Sequence, residues 1–173
     1  MTVCAQTPAR DVSSLIHSFS AWVEKSATTA DPRRSALPIF SMNDSAATLD
    51  AARASNLIRS GVRAGYVGDL VSLLGLAKKE DLSGALNTNG TSLWRWAKDD
   101  KPLPGATVEQ ILRAMQLQIF AAEVFGSLDL ARKWLHKPHP SLDGVDPIDY
   151  ADNEFGAQKV RGMLAGLKYG GVV

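Results

Sequence analysis

The chain is predicted to be all-α, on three observations. Apolar residues recur at helical spacing through most stretches between breakers, and glycines stand where helices should stop. The third is a pair of short helical segments joined by Asn87-Thr88-Asn89-Gly90, the pattern of a helix-turn-helix. With 173 residues, 45% of them hydrophobic and 21% charged, the chain can bury one ordinary core or two small ones.

Element by element, residues 11–25 place Val12, Leu15, Ile16, Phe19, Trp22 and Val23 on one face of an amphipathic helix. That helix has three open fates: docking on the main body, self-association or loose order. Residues 26–44 follow as a Ser-, Thr-, Ala- and Pro-rich linker, interrupted by Pro32 and Pro38. A helix is expected from Ser45 to about Ser60, with Leu49 and Leu57 inward and Gly61 as its stop. A second, from about Gly65 to Leu74, buries Leu70, Leu73 and Leu74 before Gly75. A third spans Lys78 to Leu86, and Thr91 is the expected cap of a fourth that runs to about Asp99. Thr107-x-x-Gln110 reads as a capping box opening the longest helix, with Val108, Ile111, Leu112, Met115, Ile119, Ala122 and Phe125 inward and Gly126 ending it. Ser127 caps a short helix to about His136 that carries Leu128, Ala131, Trp134 and Leu135 on its apolar side. Asp146-Pro147 opens one helical turn. Asp152 or Asn153 caps a last helix, whose apolar side includes Phe155, Val160, Met163, Leu164 and Leu167. These helices are too short to stand alone and must pack on the long one.

Charge divides the chain weakly. Residues 1–52 carry four basic and five acidic side chains, 53–104 eight and five, and 105–173 seven and eight, so only the middle third is positive. In the helix-turn-helix, packing of Leu82, Ala85 and Leu86 on Leu93, Trp96 and Ala97 turns Ser92, Trp94, Arg95 and Lys98 outward. Thr91, Ser92, Trp94, Arg95, Lys98 and Lys101 are therefore the candidate DNA contacts, with Arg95 able to bond guanine or clamp a phosphate and Lys98 and Lys101 serving the backbone. A plain helical hairpin is the alternative, and Asp99 and Asp100 would repel phosphates there.

Catalysis and metal binding find little support. Cys4 is the only cysteine and has no neighbouring base. His136 and His139 are separated by the break at Pro138 and lack a third ligand. Asp143, Asp146, Asp149, Asp152 and Glu154 lack the spacing of a calcium loop and read as caps and dipole compensation, or as a partner surface. No enzyme activity and no cofactor are expected. The absence of a signal-like start and of a long apolar run predicts a cytoplasmic protein.

The C-terminal third carries a resemblance. Glu123-Val124-Phe125-Gly126, Ala131-Arg132-Lys133-Trp134-Leu135, the Pro138–Gly144 loop, Asp146-Pro147, Phe155-Gly156 and the ending Tyr169-Gly170-Gly171-Val172-Val173 resemble the toxin-binding domain of Xre/MbcA/ParS-type antitoxins. Leu57 to Met115, with Gly75-Leu76 and Thr91-Ser92-Leu93-Trp94-Arg95, is similar to the Xre-like half, although Trp96 stands at a usually basic position. The residues and the resemblance together divide the chain into an N-terminal amphipathic helix and linker (1–44), a helix-turn-helix DNA-binding domain (45–106), and a connecting helix, toxin-binding domain and C-terminal tail (107–173). The resemblance implies an antitoxin that represses its own promoter DNA and neutralises, within a larger toxin–antitoxin complex, a RES-domain toxin that consumes NAD or transfers its ADP-ribose; a homodimer is expected because helix-turn-helix proteins usually read two half-sites. Arg132, Lys168, Tyr169, Gly170, Gly171, Val172 and Val173 are the implied toxin contacts, the tail entering the toxin's NAD cleft. A stand-alone helix-turn-helix regulator whose C-terminal domain only dimerises is the alternative.

Overall fold

The computed structural model describes residues 8–28, 39–43 and 46–170, with side chains at 12–28, 39–40 and 49–170. Cys4, Pro32, Pro38, Gly171, Val172 and Val173 lie outside the described residues, as does most of the expected linker.

Helix α1 (Pro8–Ser26) docks on the main body. All six residues of its apolar face are buried. Phe19 stacks on Trp22 at 5.5 Å and tilts against Phe40 at 5.9 Å, while the Trp22 indole N–H donates to the Tyr66 carbonyl at 2.8 Å. The Arg63 amide donates to the Ser26 carbonyl at 2.7 Å, so the helix is held by backbone as well as by side chains.

The helix expected from Ser45 begins later. A small antiparallel hairpin, β1 (Phe40–Asn43) and β2 (Ala46–Leu49), pairs Phe40 with Leu49 and Asn43 with Ala46. Asp50 then sits in extended backbone, accepts from the Arg53 amide at 2.9 Å and starts α2 (Ala51–Ser60). An N-cap must lie outside the helix that it caps, so Asp50 forbids a continuous helix through this point. The hairpin is a minor exception to an otherwise all-α fold.

A 3-10 turn (Ala64–Tyr66) leads to α3 (Asp69–Leu73), α4 (Asp81–Ala85) and α5 (Gly90–Lys98). The cap of α5 is Asn89, whose side chain accepts from the Ser92 amide at 3.2 Å, and not Thr91, which lies within the helix. Asn is at least as good a cap as Thr, and here it stands two residues earlier. The long helix α6 (Gly105–Phe125) is likewise not opened by a Thr107–Gln110 box. Pro104 precedes it with φ −55°, the Pro104 carbonyl accepts from the amides of Thr107 and Val108, and both Thr107 and Gln110 are buried.

α6 is the axis of the molecule. It buries Val108, Ile111, Leu112, Met115 and Ile119 on the expected face and Ala114, Leu117 and Ala121 on others, which marks a helix surrounded by neighbours. It packs against α1, α2, α7 (Leu128–Leu135) and α9 (Glu154–Tyr169). Gly126, at φ +65°, ends it in the left-handed conformation, and the Ser127 hydroxyl accepts from the Leu130 amide to start α7. α8 (Pro147–Tyr150) is the one-turn helix expected at Asp146-Pro147, and Asn153 is the cap of α9, accepting from the Gly156 amide at 3.0 Å.

Two residues expected on the inner face of α9 face outward. Phe155 is 85% exposed and Leu167 44% exposed, whereas Ala157, Val160, Met163 and Leu164 are buried. Phe155 lies five residues before Val160, about 140° away around the axis, so it cannot share that face. Leu167 lies in the last turn, beyond the packed part of the helix.

Candidate functional site

The helix-turn-helix forms as a compact unit. Leu82, Ala85, Leu86 and Leu93 are buried between α4 and α5, with Trp96 and Ala97 packed partly against them. The turn between them includes Asn87 at φ +43°, a conformation that Asn tolerates better than most residues. Thr91, Arg95, Lys98 and Lys101 are exposed, whereas Ser92 and Trp94 are half-buried. The Lys79 ammonium lies 6.0 Å from the Trp94 ring, so this indole is partly enclosed by its own neighbours.

Acidic neighbours engage part of the local positive charge. Lys101 pairs with Asp99 at 3.2 Å, an exposed contact worth little in water. Asp100, at φ +48°, accepts from the Arg63 guanidinium (Nε at 2.8 Å) and the Gly65 amide (3.0 Å). The hydrogen bond from Arg63 holds the Asp100 carboxyl below its ordinary range. Asp100 thus organises the turn behind α5.

Polar side chains join this half to the C-terminal half through α6. Gln110, buried, donates to the carbonyls of Ala85 in α4 and Ala151 before α9, each at 3.4 Å. Arg113 donates to the Asp152 carbonyl at 3.1 Å, and Asn87 donates to the Asp152 carboxylate at 3.4 Å. Gln110, expected as a capping-box residue, instead bridges the two halves, and neither its role nor that of Arg113 is visible in the sequence, because their acceptors at Ala85, Ala151 and Asp152 lie 25 to 41 residues away.

Arg132 is engaged within the fold. Its guanidinium donates to the carbonyls of Ser72 at 3.0 Å and Leu73 at 3.2 Å, capping the end of α3, and its stem packs against Gly75 at φ +68°. Burial lowers its pKa. The half-buried side chain clamps α7 to α3.

A cleft of about 690 Å³ opens between α4, the end of α7 and α8, lined by Asp81, Lys133, His136, Asp146 and Asp149 among others. Burial raises the Asp149 pKa, and the neighbouring Asp146 and Asp81 carboxylates add to that while His136 opposes it. His139 accepts from the Ser141 amide at 3.2 Å and lies 6.1 Å from Trp134, a half-buried ring that also leans on Phe125 at 5.8 Å. Among the described residues no three His, Cys, Asp or Glu side chains gather to hold a metal ion. Among the same residues no helix is long and apolar enough to cross a membrane.

The exposed apolar surface is concentrated at one end of the chain. The large hydrophobic side chains exposed among the described residues are Leu130, Val145, Phe155, Leu167 and Tyr169, all after α6. Lys168 and Tyr169 are exposed at the end of α9, and Gly170 closes the helix at φ +74°, where the tail departs. The Lys168 ammonium lies 5.9 Å from the Tyr169 ring.

Comparison with known proteins falls on the same region. Residues 120–170 match the family described as the antitoxin Xre/MbcA/ParS C-terminal toxin-binding domain. The chain is also 28% identical over 71 residues to the protein named Antitoxin Xre of Pseudomonas putida, a match covering 41% of this chain and 45% of that relative. The matched stretch thus spans less than half of the relative's length.

Proposed function

We propose that this protein is the antitoxin of a type II toxin–antitoxin system, since residues 120–170 match the antitoxin Xre/MbcA/ParS C-terminal toxin-binding domain. Its partner is a RES-domain toxin, as the resemblance of the C-terminal third implies, and neutralisation is steric. The tail from Lys168 to Val173 enters the toxin's NAD cleft and takes the cofactor's place, while the folded domain supplies the surrounding interface. The observation that carries this reading is the coincidence of two facts: the matched segment contains every large hydrophobic side chain exposed among the described residues, and Tyr169, 80% exposed, stands where the tail leaves. An aromatic ring at such a point is a good anchor, because interface energy concentrates in a few aromatic residues.

The second activity in this proposal is autoregulation. Arg95 and Lys98 on α5 face solvent from a helix capped at Asn89, as a recognition helix requires, and the protein represses its own operon as a homodimer on two half-sites. In this division of labour, residues 45–106 bind DNA and residues 107–173 bind toxin.

The decisive experiment is NAD consumption by the purified cognate toxin, titrated with the full-length protein and with a form lacking residues 168–173. The full-length protein inhibits and the shortened one does not. Equal inhibition by both would eliminate tail insertion and leave occlusion by the folded domain.

A further inference from the structure

Helix α9 carries an apolar ridge that the folded chain leaves uncovered. Phe155 is 85% exposed and Tyr169 80% exposed, with Gly162 midway between them. Steps of seven residues keep these positions within about 40° of one another around the axis and about 10.5 Å apart along it. A Cβ at residue 162 would meet nothing within 4 Å, so the chain's own packing does not demand a glycine there. A glycine inside a helix nevertheless costs about 1 kcal/mol relative to alanine. Lys159, the charged residue nearest this line, reaches aside to the Tyr150 ring, 5.1 Å away. The surface is a saddle, with two aromatic walls about 21 Å apart and bare backbone at Gly162 between them, flanked by the exposed Gln158 and Lys159. A helix with its side chains is about 10–12 Å across, so one fits between the walls.

We propose that this saddle seats a helix of the toxin, crossing α9 at Gly162 and directing apolar side chains to Phe155 and Tyr169. The inference rests on the toxin-binding reading of the domain. Both walls lie within the matched toxin-binding segment. The tail that enters the toxin leaves at Gly170, directly beside the Tyr169 wall, so a toxin engaged by the tail lies against this end of α9. The saddle then supplies affinity and the tail supplies inhibition.

The test is calorimetric titration of the purified cognate RES-domain toxin with the full-length protein and its Phe155→Gln, Gly162→Leu and Gly162→Ala variants, with a melting temperature for each. Phe155→Gln should weaken binding about tenfold or more at an unchanged melting temperature, as expected for an exposed aromatic anchor. Gly162→Leu, which fills the saddle, should weaken binding as much while raising the melting temperature, since Leu forms helix far better than Gly. Gly162→Ala should raise the melting temperature while weakening binding, a pair of opposite signs that a purely structural glycine would not produce. If Phe155→Gln and Gly162→Leu bind within twofold of the wild type, the saddle is overturned while tail insertion stands. If the wild type does not bind the toxin, the antitoxin reading falls and the saddle with it. If the variants instead dissociate a homodimer in sedimentation and leave toxin affinity intact, the occupant is a second copy of this chain and the proposal is wrong.

Discussion

The helix-turn-helix half and the C-terminal half are built from similarly short helices, yet they present different chemistry to solvent. At α5 the exposed groups on the candidate surface are polar and charged, the cations Arg95, Lys98 and Lys101 standing beside the carboxylate of Asp99, and both tryptophans of α5 are partly packed. From α7 onward five large hydrophobic side chains stand exposed. A surface for nucleic acid gains from charge and tolerates water, whereas a protein interface draws its energy from desolvated apolar anchors. The two halves share one core all the same, because α6 contributes buried residues to both.

That shared core can be challenged most severely from its far end. Phe19 is fully buried between Trp22 and Phe40, and Phe19→Ala should cost about 3–5 kcal/mol. Because α1 packs on α6 as well as on α3, calorimetry should show a single transition shifted as a whole. Two separated transitions would mean that the halves fold independently and that α6 does not couple them.

Gly156 offers a more local break. A Cβ at this position would overlap the Tyr150 carbonyl oxygen, which is backbone and cannot swing aside. Gly156→Ala should therefore cost about 1–3 kcal/mol by forcing α8 and α9 apart, and toxin binding should weaken with the melting temperature. Preserved stability with lost binding would instead make Gly156 part of the interface.

Much of this geometry was legible in the sequence wherever local chemistry decides it. Gly126 and Ser127 mark the α6–α7 junction, and Asp146-Pro147 marks α8, because stops and caps act within one turn. The hairpin at 40–49 was not, since its Ser- and Ala-rich residues carry no strand pattern and depend on Phe40 reaching Phe19. The outward turn of Phe155 was available from helical angles alone. Its inward placement followed from counting apolar residues without measuring their spacing. The inward turn of Arg132 was not available, because its acceptors lie 59 and 60 residues away in α3.

Replacing Arg95 sharpens the contrast on the other side. Arg95→Ala removes an exposed side chain from α5, so folding and toxin affinity should be unchanged, while operator affinity falls by about 1–3 kcal/mol in a mobility-shift titration. No binding of the wild type to its own promoter at low salt, with or without toxin, would remove the repressor role and leave the helix-turn-helix as scaffold.

The smallest expected effect lies at the seam, where Asp149 of α8 and Asp81 of α4 share a cleft. Burial raises the Asp149 pKa, with Asp146 and Asp81 acting the same way and His136 acting against them. A carboxyl whose pKa is higher folded than unfolded binds its proton more tightly in the native state. Ionisation at neutral pH is then a cost to folding, and that cost disappears as the pH falls through the folded value towards the unfolded one. Asp149→Asn should accordingly melt slightly above the wild type at pH 7, and the advantage should vanish near pH 4. The pair of melts repeated in a His136→Gln background isolates the carboxyl: without the opposing imidazole, the advantage of Asn at pH 7 should grow. An offset that stays constant across the pH range would show that Asp149 acts through packing, and that charge at the seam does not bear on how the two halves hold together.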